Sequence, residues 1–154
     1  MITVIRSHQV FVHAPLQSVF DYVSDLTRHP EWSGGRLRIE AIIPGPIAVG
    51  KEYISHGDVA AQKDRPNTVQ VTQYEPPHRF TFVSKDPDFG RVPHEFTFTE
   101  QTGGVLITRK MTVSLKPIVA FAFRFFVYPL IGSPSMNKSL EALKKKLEAT
   151  DTVL

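Results

Sequence analysis

Cysteine is absent from the chain and tryptophan occurs once, at Trp32. Without thiols there is no disulfide framework and no thiolate metal site. The absence suits a reducing compartment, so a cytoplasmic location is expected. HxH and HExxH spacings are missing, and the six histidines lie on separate elements, so no metal site is expected. No GxSxG elbow occurs, and "SGG" and "TGG" are two-glycine turns without the spacing of a phosphate cradle. No cofactor is expected. A basic stripe is lacking too: much of the net charge of +3 comes from Lys144, Lys145 and Lys146 at a helix end. Such a cluster reads as a solvated face, and nucleic acid is not an expected partner. "MITVIRSHQVFV" shows no basic region ahead of an apolar run, so no signal peptide is expected.

What the chain does contain is periodicity. The 154 residues fit one domain, 1–154. Val4, Val10 and Val12 share a parity with Arg6 and His8, which predicts a first strand over Thr3 to Val12. Pro15 then opens a short helix whose apolar stripe is Leu16, Val19, Phe20 and Val23. Ser24 or Asp25 caps a second short helix that Pro30 ends. From Arg36 to Val113, six short runs alternate with breakers: Pro44-Gly45-Pro46, Gly50, Asp64 to Asn67, Pro76-Pro77, Pro87 to Gly90 and Gly103-Gly104. The links are too brief for crossover helices, which predicts an antiparallel meander. The end is helical. Ser133 reads as its cap, Pro134 as its first residue, and Met136, Leu140, Leu143 and Leu147 as its buried stripe.

This order defines an α+β fold: a seven-stranded antiparallel sheet wrapped on a long C-terminal helix, with two short helices between strands one and two. One helix cannot cover the concave face of so wide a twisted sheet, so space remains beneath it. The short helices plug one end, and Trp32 seals the seam.

The residues also carry a resemblance. "V-x-A-P-x-x-x-V-F-x-x-V-x-D" followed by "HPEW" (Val12 to Trp32), "YEPPHRFTF" (Tyr74 to Phe82), "EFTFTEQTGGVLITRKM" and "SLEALKKKLE" occur in that order. Together they resemble the polyketide cyclase/dehydrase group of the START-like SRPBCC superfamily along almost the whole chain. The resemblance implies a helix-grip fold with a deep hydrophobic cavity. It leaves the activity open, because lipid carriers, receptors, cyclases, quinone-binding proteins and co-chaperones share that scaffold.

Strand parity names the candidate site. If Phe96 and Phe98 face inward, so does His94; if Ile107 and Met111 do, so does Arg109; Val10 and Val12 bring His8. His94, Arg109 and His8 are the candidate acid–base groups. Trp32, Tyr53, Phe82, Phe96, Phe98, Ile107 and Met111 are the candidate ligand-lining residues. Tyr53 and His56 lie on opposite faces of their strand. The apolar stretch 118–131 is shorter than the roughly 20 residues a spanning helix needs, and Arg124 and Pro129 interrupt it. It reads as a helix over the cavity mouth with Phe121, Phe125 and Tyr128 turned to the ligand. The same patch would serve a transient membrane contact or a homodimer interface.

The function expected first is binding or transport of a small to medium hydrophobic ligand: a lipid, a quinone or a polyketide-like molecule. A cyclase or dehydratase using the His and Arg groups is the second reading, and a protein-interaction module is the third.

Overall fold

A computed structural model of the chain describes residues 1–59, 62–87 and 89–151. Ala60, which closes the sequence-predicted third strand, and Asp88, inside the Pro87 to Gly90 turn, lie outside the described residues. The strands are β1 (Ile2–Val12), β2 (Leu37–Ala41), β3 (Glu52–Val59), β4 (Gln62–Glu75), β5 (Arg79–Asp86), β6 (Gly90–Gln101) and β7 (Gly104–Leu115). They form one antiparallel sheet in the order β1-β7-β6-β5-β4-β3-β2. Between β1 and β2 come helix α1 (Leu16–Ser24) and a 3-10 helix (Leu26–Glu31). The Asp25 side chain caps the latter by accepting from the Thr27 amide at 3.1 Å.

The chain ends in one continuous helix built of three windings: α2 (Pro117–Ala122), a π-helical segment (Phe123–Gly132) and α3 (Ser133–Asp151). Leu140, Leu143 and Leu147 of α3 are buried against the sheet together with Phe20 and Val23 of α1. Each such leucine contributes on the order of 2 kcal/mol through the area it removes from water. Met136, the first residue of the expected stripe, is half-buried.

Two sequence expectations need correcting. Asp64 to Asn67 is not a break: it lies inside β4, paired with β3 from Gln62 onward. The turn-forming residues are absorbed by a register shift between Gly57 and Val59 and by Asp64 at φ 53°. Ser133 caps nothing. It sits at φ −65°, ψ −48° inside the helix, and its amide donates to the Tyr128 carbonyl five residues back. That bond belongs to a π turn. Pro129 disposes the run to it, because a proline has no amide to donate and its ring crowds the preceding turn.

Two apolar clusters fill the space between sheet and helices. The larger one gathers α1, α3 and the inner face of the sheet around Phe20, Phe80, Phe96 and Phe98. The smaller one lies under α2 and comprises Val4, Val92, Val113, Leu115 and Ala120, with Met111 and Phe123 against it.

Candidate functional site: a polar band within an aromatic interior

Between the two clusters the sheet turns a polar band inward. In one row across the strands His8 lies opposite Arg109, Arg109 opposite Phe96, and Phe96 opposite Phe80. In the next row on the same face Arg6 meets Met111, Met111 meets His94, and His94 meets Phe82. Side chains directly opposite in an antiparallel ladder stand about 5 Å apart at Cβ, so each row is a string of contacts.

The helices close over the band from two sides. From the 3-10 helix and its C-terminal cap come His29 and Trp32, with ring centroids 4.7 Å apart and Trp32 edge-on to Phe96 at 6.2 Å. The His29 Nε2–H donates to the Val23 carbonyl at 2.7 Å, which fixes its ring. From the π segment comes Tyr128, buried, with its hydroxyl on Nε2 of His8 and its ring 5.1 Å from the Arg6 guanidinium. Nδ1 of His8 pairs with Oδ1 of Asn137 at 2.7 Å. Tyr128 therefore donates to His8, and His8 donates to Asn137 at the surface. Gly132 leaves room for this arrangement, since a Cβ there would stand 2.6 Å from Cδ2 of Tyr128.

Three buried nitrogens in the band have no hydrogen-bond partner: Nε1 of Trp32, Nδ1 of His94 and Nε of Arg109. Arg109 is unusual beyond that. Its guanidinium lies 5.8 Å from the Trp32 ring and 5.4 Å from the Phe96 ring. Burial lowers its pKa to about 10, and the one group opposing that shift is Tyr128, not a carboxylate. Cation–π contact is worth about 0.5–2 kcal/mol, whereas taking a charge out of water costs several kcal/mol. The aromatic faces therefore do not offset the burial. The nearby acid Glu95 is no help: it sits on the outer face between Arg79 and Lys110, 2.7 Å from the lysine Nζ.

Of the three imidazoles in the band, those of His29 and His94 are neutral near pH 7. Burial lowers the pKa of His29 to about 4, and the Arg109 charge adds to the fall. Burial followed by the Arg109 charge takes His94 to about 3. The His94 ring stacks on Phe82 at 4.7 Å. Its Nε2 lies 3.4 Å from the Ser84 hydroxyl, which is also 3.4 Å from the Val92 carbonyl. That hydroxyl can point at either neighbour. Nδ1 of His94 accordingly offers a lone pair or an N–H. His94 and Arg109 are half-buried, so part of each side chain stays open to solvent while Nδ1 of His94 and Nε of Arg109 are covered.

The sequence candidates thus separate into groups. His94, Arg109, His8, Trp32, Phe82, Phe96, Met111 and Tyr128 meet in the band. Phe98 and Ile107 are buried in the larger cluster, with Phe98 edge-on to Phe20 at 5.3 Å. Tyr53 belongs to a separate cleft of about 430 Å³ with Asp25, Ile47, Lys51 and Tyr74. Phe121 and Phe125, expected to turn inward, point outward instead. They are 59% and 55% exposed and flank an outer groove of about 480 Å³ between β1 and the helix. The reason is the winding. Spacings of four and three residues share a face in an α-helix, but here the inward pair is Phe123 and Tyr128, five apart, with centroids 5.5 Å apart. In an α-helix those two would diverge by about 140°. His29, Ser84 and Asn137 were not among the sequence candidates. The signal for His29 was its place in "HPEW", three residues before the tryptophan it packs on.

A wrapped antiparallel sheet gripping a C-terminal helix, with an aromatic interior and a few enclosed polar groups, defines a helix-grip protein. Residues 3–148 match the family described as polyketide cyclase / dehydrase and lipid transport, and the chain belongs to that family. Its fold is also that of solved structures with little sequence in common. The di-domain ARO/CYC BexL from the BE-7585A biosynthetic pathway aligns with TM-score 0.73 at 18% identity, over 95% of this chain and 50% of that one. This chain thus spans about half of the di-domain protein. A protein of unknown function from Staphylococcus aureus, SA2116, aligns with TM-score 0.75 at 12% identity over 99% and 98% of the two chains. A norcoclaurine synthase point mutant from Thalictrum, in complex with a transition-state analogue, aligns with TM-score 0.71 at 17% identity over 97% of each. No curated protein matches in sequence. Membership supports a ligand-binding or cyclase role.

Proposed function

We propose that the protein binds a small to medium apolar molecule, such as a lipid, a quinone or a polyketide-like compound, between sheet and C-terminal helix. We place it in the cytoplasm, where it collects this cargo from lipid surfaces. The observation that carries the reading is the set of unpartnered nitrogens of Trp32, His94 and Arg109 among phenylalanine rings. Buried polar groups normally find partners. A pocket with apolar walls and a few polar groups is how proteins orient small ligands.

The collecting step rests on the helix. Ile118, Phe121, Phe125, Phe126, Leu130 and Ile131 are all exposed. Lys116 just ahead of the helix and Arg124 and Lys138 on it are exposed, and no acidic residue occurs between Glu100 and Glu141. An apolar flank edged by cations suits the interface of an anionic bilayer. The 33-residue helix Pro117–Ala149 is long and apolar enough by composition to cross a membrane, but Leu140, Leu143 and Leu147 commit its C-terminal part to the sheet.

A cyclase or dehydratase is favoured by one observation, the free ring nitrogen of His94. A general base works best with a pKa near the working pH, and His94 at about 3 is far below it. Native mass spectrometry of protein purified from its own host tests the proposal. A retained small molecule supports it; an empty protein that also fails to float with phosphatidylserine-containing vesicles overturns it.

A further inference from the structure

The interior holds a positive charge with nothing negative to meet it. Arg109 reaches the band from the middle of β7, between Phe96 of β6 and His8 of β1. The groups around it are aromatic rings, the neutral His94 and His29, and the hydroxyl of Tyr128. Among the described residues no carboxylate pairs with it. The unpartnered atoms beside it add donors: the Trp32 indole N–H, the Arg109 Nε–H, and the His94 Nδ1–H when Ser84 turns its hydroxyl toward Nε2. A neutral apolar cargo would leave this charge and these N–H groups unmet. An oxyanion would satisfy them together, because a guanidinium fork binds carboxylate or a related oxyanion with charge-assisted hydrogen bonds. We infer that the ligand is an apolar molecule ending in an oxyanion, with its carboxylate held by Arg109 and Trp32 and its apolar body against Phe82, Phe96 and Met111. The inference rests on the ligand-binding reading above and narrows it to acids.

Laurate and dodecan-1-ol serve as probes, since they differ only at the polar end. Both are titrated below their aggregation limits at pH 7.5 by calorimetry and by emission of Trp32, the one tryptophan of the chain. Laurate is expected to bind at least ~10-fold more tightly than the alcohol and to shift Trp32 emission. In Arg109→Met that preference is expected to vanish, with alcohol affinity kept; Arg109→Lys is expected to keep part of it. Arg109→Met removes an unpaired charge, so it is expected to fold, and the wild-type comparison stands without it. Equal affinity of acid and alcohol in the wild type overturns the inference and leaves the ligand-binding reading in place. A preference that persists in Arg109→Met overturns it too. If neither probe changes Trp32 emission, the interior site itself is refuted, and the inference falls with it.

Discussion

The hydroxyl of Tyr128 and Nε2 of His8 share a hydrogen bond that ties the π-helical segment to the edge strand of the sheet. Through Nδ1 the same imidazole reaches Asn137, about two turns further along the helix. Tyr128→Phe keeps the ring and removes the donor. A loss of about 1 kcal/mol is expected, seen as a fall of a few degrees in Tm by thermal denaturation. An unchanged Tm would mean that the contact is replaced by water at no cost.

Gly132→Ala separates two physical effects by sign. Helix propensity alone favours alanine by about 1 kcal/mol. The new Cβ would meet the Tyr128 ring at 2.6 Å, however, and overpacking of that kind costs about 1–3 kcal/mol. Net destabilisation is expected in the wild type and stabilisation in a Tyr128→Ala background. A double-mutant cycle by urea denaturation measures the coupling. A cycle that closes to zero would remove Tyr128 as the cause.

Acid should weaken the fold through His29 and His94. Both have folded pKa values below that of a free imidazole, about 4 and about 3, so the unfolded chain takes up protons first as pH falls. Stability is therefore full above about pH 6.5 and is lost as pH drops through that value toward the folded ones. His29 alone accounts for roughly 3 kcal/mol over this window, at about 1.4 kcal/mol per unit. Urea midpoints at pH 7, 5.5 and 4.5 check this. His29→Gln should flatten the profile, and a flat wild-type profile would contradict the burial of both rings.

Arg109→Met is expected to raise the Tm of ligand-free protein, because a methionine of similar reach fills the band without a charge to desolvate. A lower Tm would show that its contacts with Trp32 and Phe96 outweigh the cost of burial.

Two surface and core substitutions should dissociate stability from lipid contact. Leu143→Ala removes a fully buried side chain of α3 and should cost about 2–5 kcal/mol. Phe125→Ser alters an exposed ring and should change stability by no more than about 0.5 kcal/mol. It should nevertheless reduce co-flotation with anionic vesicles. Equal flotation of wild type and Phe125→Ser would count against this flank as the docking face.

The strands were legible because a side-chain period of two needs only neighbours in sequence. The parity that linked His94 to Phe96 and Arg109 to Ile107 is that period, and the structure places all four on the inner face. The stripe Leu140, Leu143 and Leu147 was legible for the same reason at helical spacing. The phase of the helix before it was not. Reading Phe121, Phe125 and Tyr128 as one face assumes α winding, and the π turn around Pro129 breaks that assumption. Asp64 to Asn67 looked like a break because turn residues were read without the β3 partner that holds them in line. The meeting of His8 with Tyr128, and of Trp32 with Arg109, depends on register and helix placement over more than seventy residues of chain. No local pattern encodes either.

Strand β1 lies at the border of the sheet, bonded to β7 and to no other strand, and runs for eleven residues with Ile2 and Ile5 bare. Its outer rim pairs with no strand, although Arg6 and Lys144 take the Ile5 and Phe11 carbonyls, and it adjoins the bare phenylalanines across the outer groove. The opposite border, β2, is five residues long and offers far less. At high concentration in plain buffer, self-adhesion should therefore begin at the β1 rim, strand against strand. Mild detergent, by coating the adjoining rings, should keep the preparation dispersed better than added salt does.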